Sequence, residues 1–165
     1  MSSKFEYRLT RCPELSLGLF TIPVLEEGSS TTPPTTMLGH VVATRTSAHT
    51  VTDKSMELPP NWKVERQSVE DGQAIGHEEF GHTIVIHSLG VLPEHQGKGI
   101  GSTLMKAYIH RIREAAIAER IAIICHDHLV PFYTALGFEN EGPSDCKFGG
   151  GGWSDLVWKQ LNFSI

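Results

Sequence analysis

The stretch HSLGVLPEHQGKGIGSTL, His87 to Leu104, joins a β-type apolar run to an amphipathic pattern through Gly97, Lys98, Gly99 and Gly101. A glycine-rich strand-to-helix turn leaves backbone N–H groups bare at the positive end of a helix dipole, and the missing side chains let a diphosphate come close. The same glycines also suit a tight turn with no ligand, so the residues alone leave both readings open. Two nucleotide patterns fail on spacing. GxxxxGK[ST] needs Ser or Thr after its lysine, where Gly99 stands. GxGxxG needs a further glycine where Ser102 and Thr103 stand, and Glu119 is a poor substitute for its acidic ribose partner.

Upstream, HTIVIHSLGV (His82 to Val91) is nearly continuously apolar, as in a central strand covered on both faces. Downstream, Leu104, Tyr108 and Ile112 recur every four residues, with Met105, Ile109 and Ala116 one step round, which predicts a helix with one apolar stripe. RIAIIC (Arg120 to Cys125) reads as a buried strand, so strand, helix and strand predict a right-handed parallel crossover. HLVPFYTALGF reads as a short helix with Pro131 near its first turn and Gly137 as its stop. Phe138 to Gly142 and Asp155 to Leu161 are closing strands around a turn at Gly149 to Gly152. Leu15 to Ile22 and Met37 to Arg45 pair as a hairpin across the polar tract Glu26 to Thr36. Thr46 to Phe80 keeps no period, apart from a hint of order at Asn61 to Val69, and is expected to be a long irregular insert.

A chain of 165 residues, 39% hydrophobic and 20% charged, has apolar material for one core, so residues 1–165 are expected to form a single domain. A net charge of −5 and no basic run argue against a nucleic-acid partner. No apolar stretch reaches the ~18 residues of a membrane span and no signal-peptide pattern opens the chain, so the expected setting is soluble and cytoplasmic. Cys12, Cys125 and Cys146 lack CxxC spacing and are odd in number, which fits a reducing compartment. HEEFGH (His77 to His82) sets its histidines five apart where HExxH needs four, and HDH (His126 to His128) reads as a polar turn, so no metal is expected.

Gln96, Gly99 and Gly101 match Q/R-x-x-G-x-G/A, which resembles the acyl-CoA loop of the GNAT acetyltransferase superfamily. LTRCPELSLGLF (Leu9 to Phe20), GHTIVIHSLGV (Gly81 to Val91) and CHDHLVPFYTALGF (Cys125 to Phe138) further resemble, in the same order, blocks of its arylalkylamine N-acetyltransferase family. The resemblance implies an α/β (α+β) fold: a mixed, mostly antiparallel twisted sheet with a central splayed parallel pair and flanking helices. It begins at the block before the family's second strand, so an N-terminal strand and helix are expected to be missing, with Lys4 to Leu9 either an edge segment or the end of a helix. It also implies acetyl-CoA as acetyl donor and a small primary amine of the arylalkylamine type as acceptor. A polyamine acetyltransferase and an acyl-CoA-binding module without turnover stand as alternatives.

Carried over by residue, the resemblance gives Leu89, Gly90 and Val91 to the pantetheine arm and acetyl carbonyl, and Gln96, Gly97, Lys98, Gly99, Ile100, Gly101 and Ser102 to the pyrophosphate. Tyr133 matches a tyrosine beside the CoA sulfur and is the expected general acid, a role an O–H donor can fill as thiolate leaves. His87 matches the second of two histidines that carry the amine's proton. Val85 stands where the first would be, which excludes a relay through both. Read as residues alone, His87 also fits a core histidine and Tyr133 an aromatic that docks a short helix. Glu26, Glu27, Glu78, Glu79 and His82 are reserve candidates for the base.

Overall fold

The computed structural model describes residues 2–160. In chain order its elements are α1 (Ser3–Arg11), β1 (Leu17–Phe20), β2 (Met37–Thr46), the single-turn α2 (Asp53–Met56), β3 (Ser68–Glu70), β4 (Gln73–Ile75), β5 (Thr83–Val91), α3 (Ile100–Ala115), β6 (Arg120–Cys125), α4 (Val130–Ala135), β7 (Glu139–Pro143) and β8 (Ser154–Lys159). The long apolar periods around the glycine loop set β5, α3 and β6 much as their pattern requires. Ala116 is the difference: it lies past the helix end in the left-handed region, φ 51°, instead of extending the apolar stripe. Of the predicted strand Asp155 to Leu161, the part up to Lys159 lies in β8, and Leu161 falls outside the described residues.

Six strands form one sheet in the order β1-β2-β5-β6-β8-β7, and every pair is antiparallel except β5 with β6. That parallel pair is ladder-bonded only from Thr83–Val85 to Arg120–Ala122. Both strands continue beyond it, so they splay and leave a gap on the side where β5 enters the glycine loop. One face of the sheet packs Val41, Ala43, Ile84, Ile86, Ile121 and Leu156 against the stripe of α3. Full burial of Leu104 and Ile112 stabilises by roughly 1.5–3 kcal/mol each, which anchors the helix whose start builds the loop.

The other face buries Val85, Ala122 and Val157 under Val51, Met56 and Cys146. Its cover comes largely from residues 46–80, which are more regular than their sequence suggested. A capping box at α2 pairs Ser55 N–H with Thr52 Oγ1 (3.1 Å) and Thr52 N–H with Ser55 Oγ (3.0 Å). Asp71 and Gly72, both at positive φ, close the β3–β4 hairpin. Elements of three or four residues cannot display a period of 2.0 or 3.6, so no periodic signal marked them.

Lys4 to Leu9 belongs to helix α1, and among the described residues no strand precedes it. The helix is tied to the 46–80 segment: Arg8 donates to Met56 O (3.3 Å) and the Tyr7 hydroxyl accepts the His77 N–H (2.8 Å). The same segment is tied to the β7–β8 connection, because Asp53 Oδ1 accepts the N–H groups of Lys147 (2.9 Å) and Phe148 (2.8 Å). Hydrogen bonds to a charged acceptor contribute about 1.5–3 kcal/mol, so Asp53→Ala should cost about 2 kcal/mol. For a domain of this size that lowers Tm by about 4–8 °C in thermal denaturation followed by circular dichroism.

Candidate functional site

β5 ends at Val91, and the chain turns through one 3-10 turn at Pro93–His95 before the glycines. Gln96 Nε2 donates to Val91 O (3.0 Å), which fixes the turn to the strand it leaves. Gly97 and Gly99 have φ of 72° and 78°, a region that costs an L-residue roughly 1–2 kcal/mol. A Cβ at either would meet no atom within 4 Å, so the glycines answer to backbone conformation and leave open space above them. The first helical bond of α3 runs from Thr103 N–H to Gly99 O (3.0 Å). The N–H groups of Ile100, Gly101 and Ser102 therefore have no helical acceptor, no side chain caps them, and no acidic residue sits in the first turn. Lys98 lies exposed beside them. The geometry is that of an anion cradle.

Leading into it, Leu89, Gly90 and Val91 pair with Val41, His40 and Gly39 of β2. On their other side β6 has already separated, so alternate backbone N–H and C=O groups face the gap without a strand partner. Extended backbone with free groups can hold amide-bearing ligands in the manner of an added strand.

His87 sits at an irregularity in β5. Val42 pairs with Ser88 and Ala43 with Ile86, which leaves His87 as the extra residue of a bulge. Its Nε2 lies 2.7 Å from Thr44 Oγ1, and its Nδ1 is buried without a partner among the described residues. Burial, then the positive charges of Arg8 and Lys4, and His77, hold the imidazole well below the usual histidine range, so it is neutral at pH 7. Val85 is fully buried in the second core cluster.

Tyr133 stands on α4, which opens with Pro131 in its first turn. Its ring lies edge-on to Phe132 (4.9 Å) and Phe138 (5.6 Å), and its hydroxyl has no hydrogen-bond partner among the described residues. Burial, with a smaller push from Cys125, raises the phenol to about 12.

Three of the five reserve candidates, Glu78, Glu79 and His82, are not brought to this place. Glu78, Glu79 and His82 line a cavity of about 950 Å³ with Arg11, Arg45 and Arg66 at the opposite end of β5. His82 is five residues from His87, roughly 16 Å along an extended chain. Glu78 accepts from Thr46 Oγ1 (2.9 Å) and Ser47 N–H (3.0 Å), while Glu79 pairs with Arg66 (2.6 Å). Glu26 and Glu27 are exposed in the β1–β2 connection, which meets the sheet at the same end as the glycine loop, since Gly39 pairs with Val91. Of the histidines in metal-like patterns, His77 Nδ1 accepts the Arg45 N–H (3.1 Å) and His126 stacks on Trp153 at 3.9 Å.

Two polar residues of β2 were missed by sequence reasoning. Thr44 faces His87, and His40 lies on Gly90 with its Nε2 2.8 Å from Ser88 Oγ. Alternation along β2 marks both as sharing a face, but only the strand register shows which β5 residues they meet.

A model of the acetyltransferase (GNAT) domain matches residues 65–150, just over half of the chain. The serotonin N-acetyltransferase of Mesocricetus auratus is 30% identical over 157 residues, 95% of this chain and 59% of that protein. The chain thus spans about 59% of the length of this curated relative. Among solved structures, the loading GNATL domain of CurA from Lyngbya majuscula superposes with a TM-score of 0.60 at 14% identity, covering 94% of this chain and 81% of that one. The PaiA N-acetyltransferase from Thermoplasma acidophilum, solved in complex with coenzyme A, gives 0.52 at 15% identity, covering 96% and 70%. At these identities the superpositions show a shared fold.

Proposed function

Since the chain belongs to the acetyltransferase (GNAT) domain family, we propose that residues 1–165 act as one N-acetyltransferase domain that passes the acetyl group of acetyl-CoA directly to the primary amine of an arylalkylamine. The carrying observation is the continuity of the unpaired end of β5 with the open, uncapped start of α3. The N–H groups of Ile100, Gly101 and Ser102, with Gly97, Gly99 and the Lys98 ammonium, suit a diphosphate. Leu89, Gly90 and Val91 offer backbone groups to the pantetheine amides and the acetyl carbonyl, and Gln96 keeps the two stretches in register. The amine class is supported by the similarity to serotonin N-acetyltransferase.

In the reaction the amine lone pair forms a C–N bond to the carbonyl carbon, and the C–S bond breaks with its electron pair on sulfur. Tyr133 stays protonated at pH 7, since its phenol lies at about 12. Thiols titrate near 8.5, so complete transfer of its proton to sulfur would be uphill by about 5 kcal/mol. Its supported role is therefore to donate an O–H hydrogen bond as negative charge grows on sulfur. Neutral His87 takes the proton that nitrogen loses as it becomes acylated.

Free alkylamines titrate near 10.4, so the reactive base is scarce at pH 7, and kcat/KM for the amine should rise about tenfold per pH unit between about pH 6 and 8. A histidine with its pKa lowered is already neutral above the ordinary value and charges only further down. The profile should then show no break near ~6.5. A break there that persists in His87→Gln belongs to another group, and an unchanged kcat in His87→Gln overturns the assignment of His87 as base.

The proposal is tested by following thiol release from acetyl-CoA with tryptamine, serotonin, spermidine and lysine peptides. It expects the arylalkylamines to have the highest kcat/KM. Preference for spermidine replaces them with polyamines, and CoA binding without release of thiol by any amine leaves only a binding module. A cytoplasmic setting fits the same reading, because Cys12, Cys125 and Cys146 are buried free thiols of the kind a reducing compartment maintains.

A further inference from the structure

We propose that Thr44 is a positioning residue for His87: its Oγ1 accepts the Nε2–H, which keeps the Nδ1 lone pair free to take a proton. The tautomer stands on geometry alone, and only its use in catalysis rests on the acetyltransferase reading.

A bulged residue has no partner in the ladder, so the strand does not fix the ring of His87. The contact that does is the 2.7 Å approach of Thr44 Oγ1 to Nε2. Thr44 is 1% exposed and sits opposite Val85, one step from the bulge on the adjacent strand. Its β-branched side chain has few rotamers, so the hydroxyl is held in place.

A hydroxyl either donates or accepts, which leaves two arrangements. If Thr44 donated to Nε2, the ring hydrogen would sit on Nδ1, which is buried and unpartnered. An unpaired buried N–H is costly, and it is fixed in the ring plane where it cannot turn to find an acceptor. If Thr44 accepts, Nδ1 carries only a lone pair, and the mobile hydrogen is that of the hydroxyl, which rotates. The second arrangement is favoured, and it makes the unpartnered Nδ1 the one basic nitrogen of the ring. When the C–N bond forms, the N–H electron pair stays on the amine nitrogen and the proton passes through water to Nδ1, which is too buried to meet the amine itself. The resulting imidazolium keeps its Nε2–H on Thr44.

Two measurements decide this. In ¹⁵N–¹H correlation spectra of the intact protein at neutral pH, with His87 assigned from His87→Gln, the native ring should be protonated at Nε2 and bare at Nδ1. Thr44→Ser should keep that tautomer and Thr44→Val should lose it. In acetyl transfer, Thr44→Val should lower kcat by about 10–100-fold, short of the ~10²–10⁴ of losing an acid–base group, with the KM for acetyl-CoA little changed. Thr44→Ser should restore most of the rate. An Nδ1-protonated native ring overturns the proposal, as does a Thr44→Val protein with both tautomer and kcat unaltered. If Thr44→Val does not fold, the native spectrum and Thr44→Ser still decide. An Nε2-protonated ring in a protein that acetylates no amine confirms the positioning while it refutes the acetyltransferase reading.

Discussion

Tyr133→Phe should lower kcat for acetyl transfer by about 10²-fold or more, with little change in the KM for acetyl-CoA. The substitution removes one hydroxyl and keeps a ring of the same outline, so the edge contacts to Phe132 and Phe138 persist. That hydroxyl has no partner among the described residues, so the fold loses no hydrogen bond and the thermal midpoint should hold or rise slightly. A loss confined to kcat is the signature of an interaction made only as charge develops on sulfur. Steady-state kinetics across pH, with a melting curve of each protein, check it. An unchanged kcat across the pH range would remove Tyr133 from the chemistry.

Gly99→Ala should weaken acetyl-CoA binding by about 30-fold, roughly 2 kcal/mol, beside a separate cost to the fold. A left-handed alanine costs the fold roughly 1–2 kcal/mol, which lowers Tm by only a few degrees. The larger effect falls on the ligand. A Cβ there meets no protein atom within 4 Å, so it adds bulk in the open space beside the turn that leads into the uncapped N–H groups, where we expect the diphosphate to lie. Acetyl-pantetheine, which lacks the diphosphate, separates the two. Its kcat/KM should be nearly equal in native protein and variant, whereas that of acetyl-CoA falls. An equal fall for both donors would mean a damaged fold and no diphosphate cradle.

The parts of this molecule that were legible in its sequence are those with long periods. β5, α3 and β6 each carry enough apolar repeats to fix type and face, and the glycines between them set the loop. Ala116 continued the stripe by its chemistry, but the helix had ended one residue before it, which composition does not mark. The 46–80 segment hid its order because its elements are a single turn and a hairpin of two three-residue strands, made by a capping box and by Asp71-Gly72 instead of by a repeat.

The candidate site divides the same way. Gly97, Gly99 and the start of α3 were visible because a turn of this kind is local. The surroundings of His87 were not, because its bulge and its contact with Thr44 come from pairing between residues 43 positions apart. Nothing in IHS, Ile86 to Ser88, announces that one residue will have no opposite number. Glu78, Glu79 and His82 were plausible as bases by chemistry alone, and the strand's length then carried them to its far end.

The central claim is direct transfer of an acetyl group from CoA to an amine in the gap between β5 and β6, and one mass-spectrometric experiment bears on it most directly. Native protein is mixed with acetyl-CoA alone, then with tryptamine, and both the intact protein and the small-molecule products are weighed. The expected result is no acetyl adduct on the protein in the first step and stoichiometric N-acetyltryptamine with free CoA in the second. An acetylated protein competent to pass its acetyl group on, or no acetylated amine from any member of the amine panel, would contradict it.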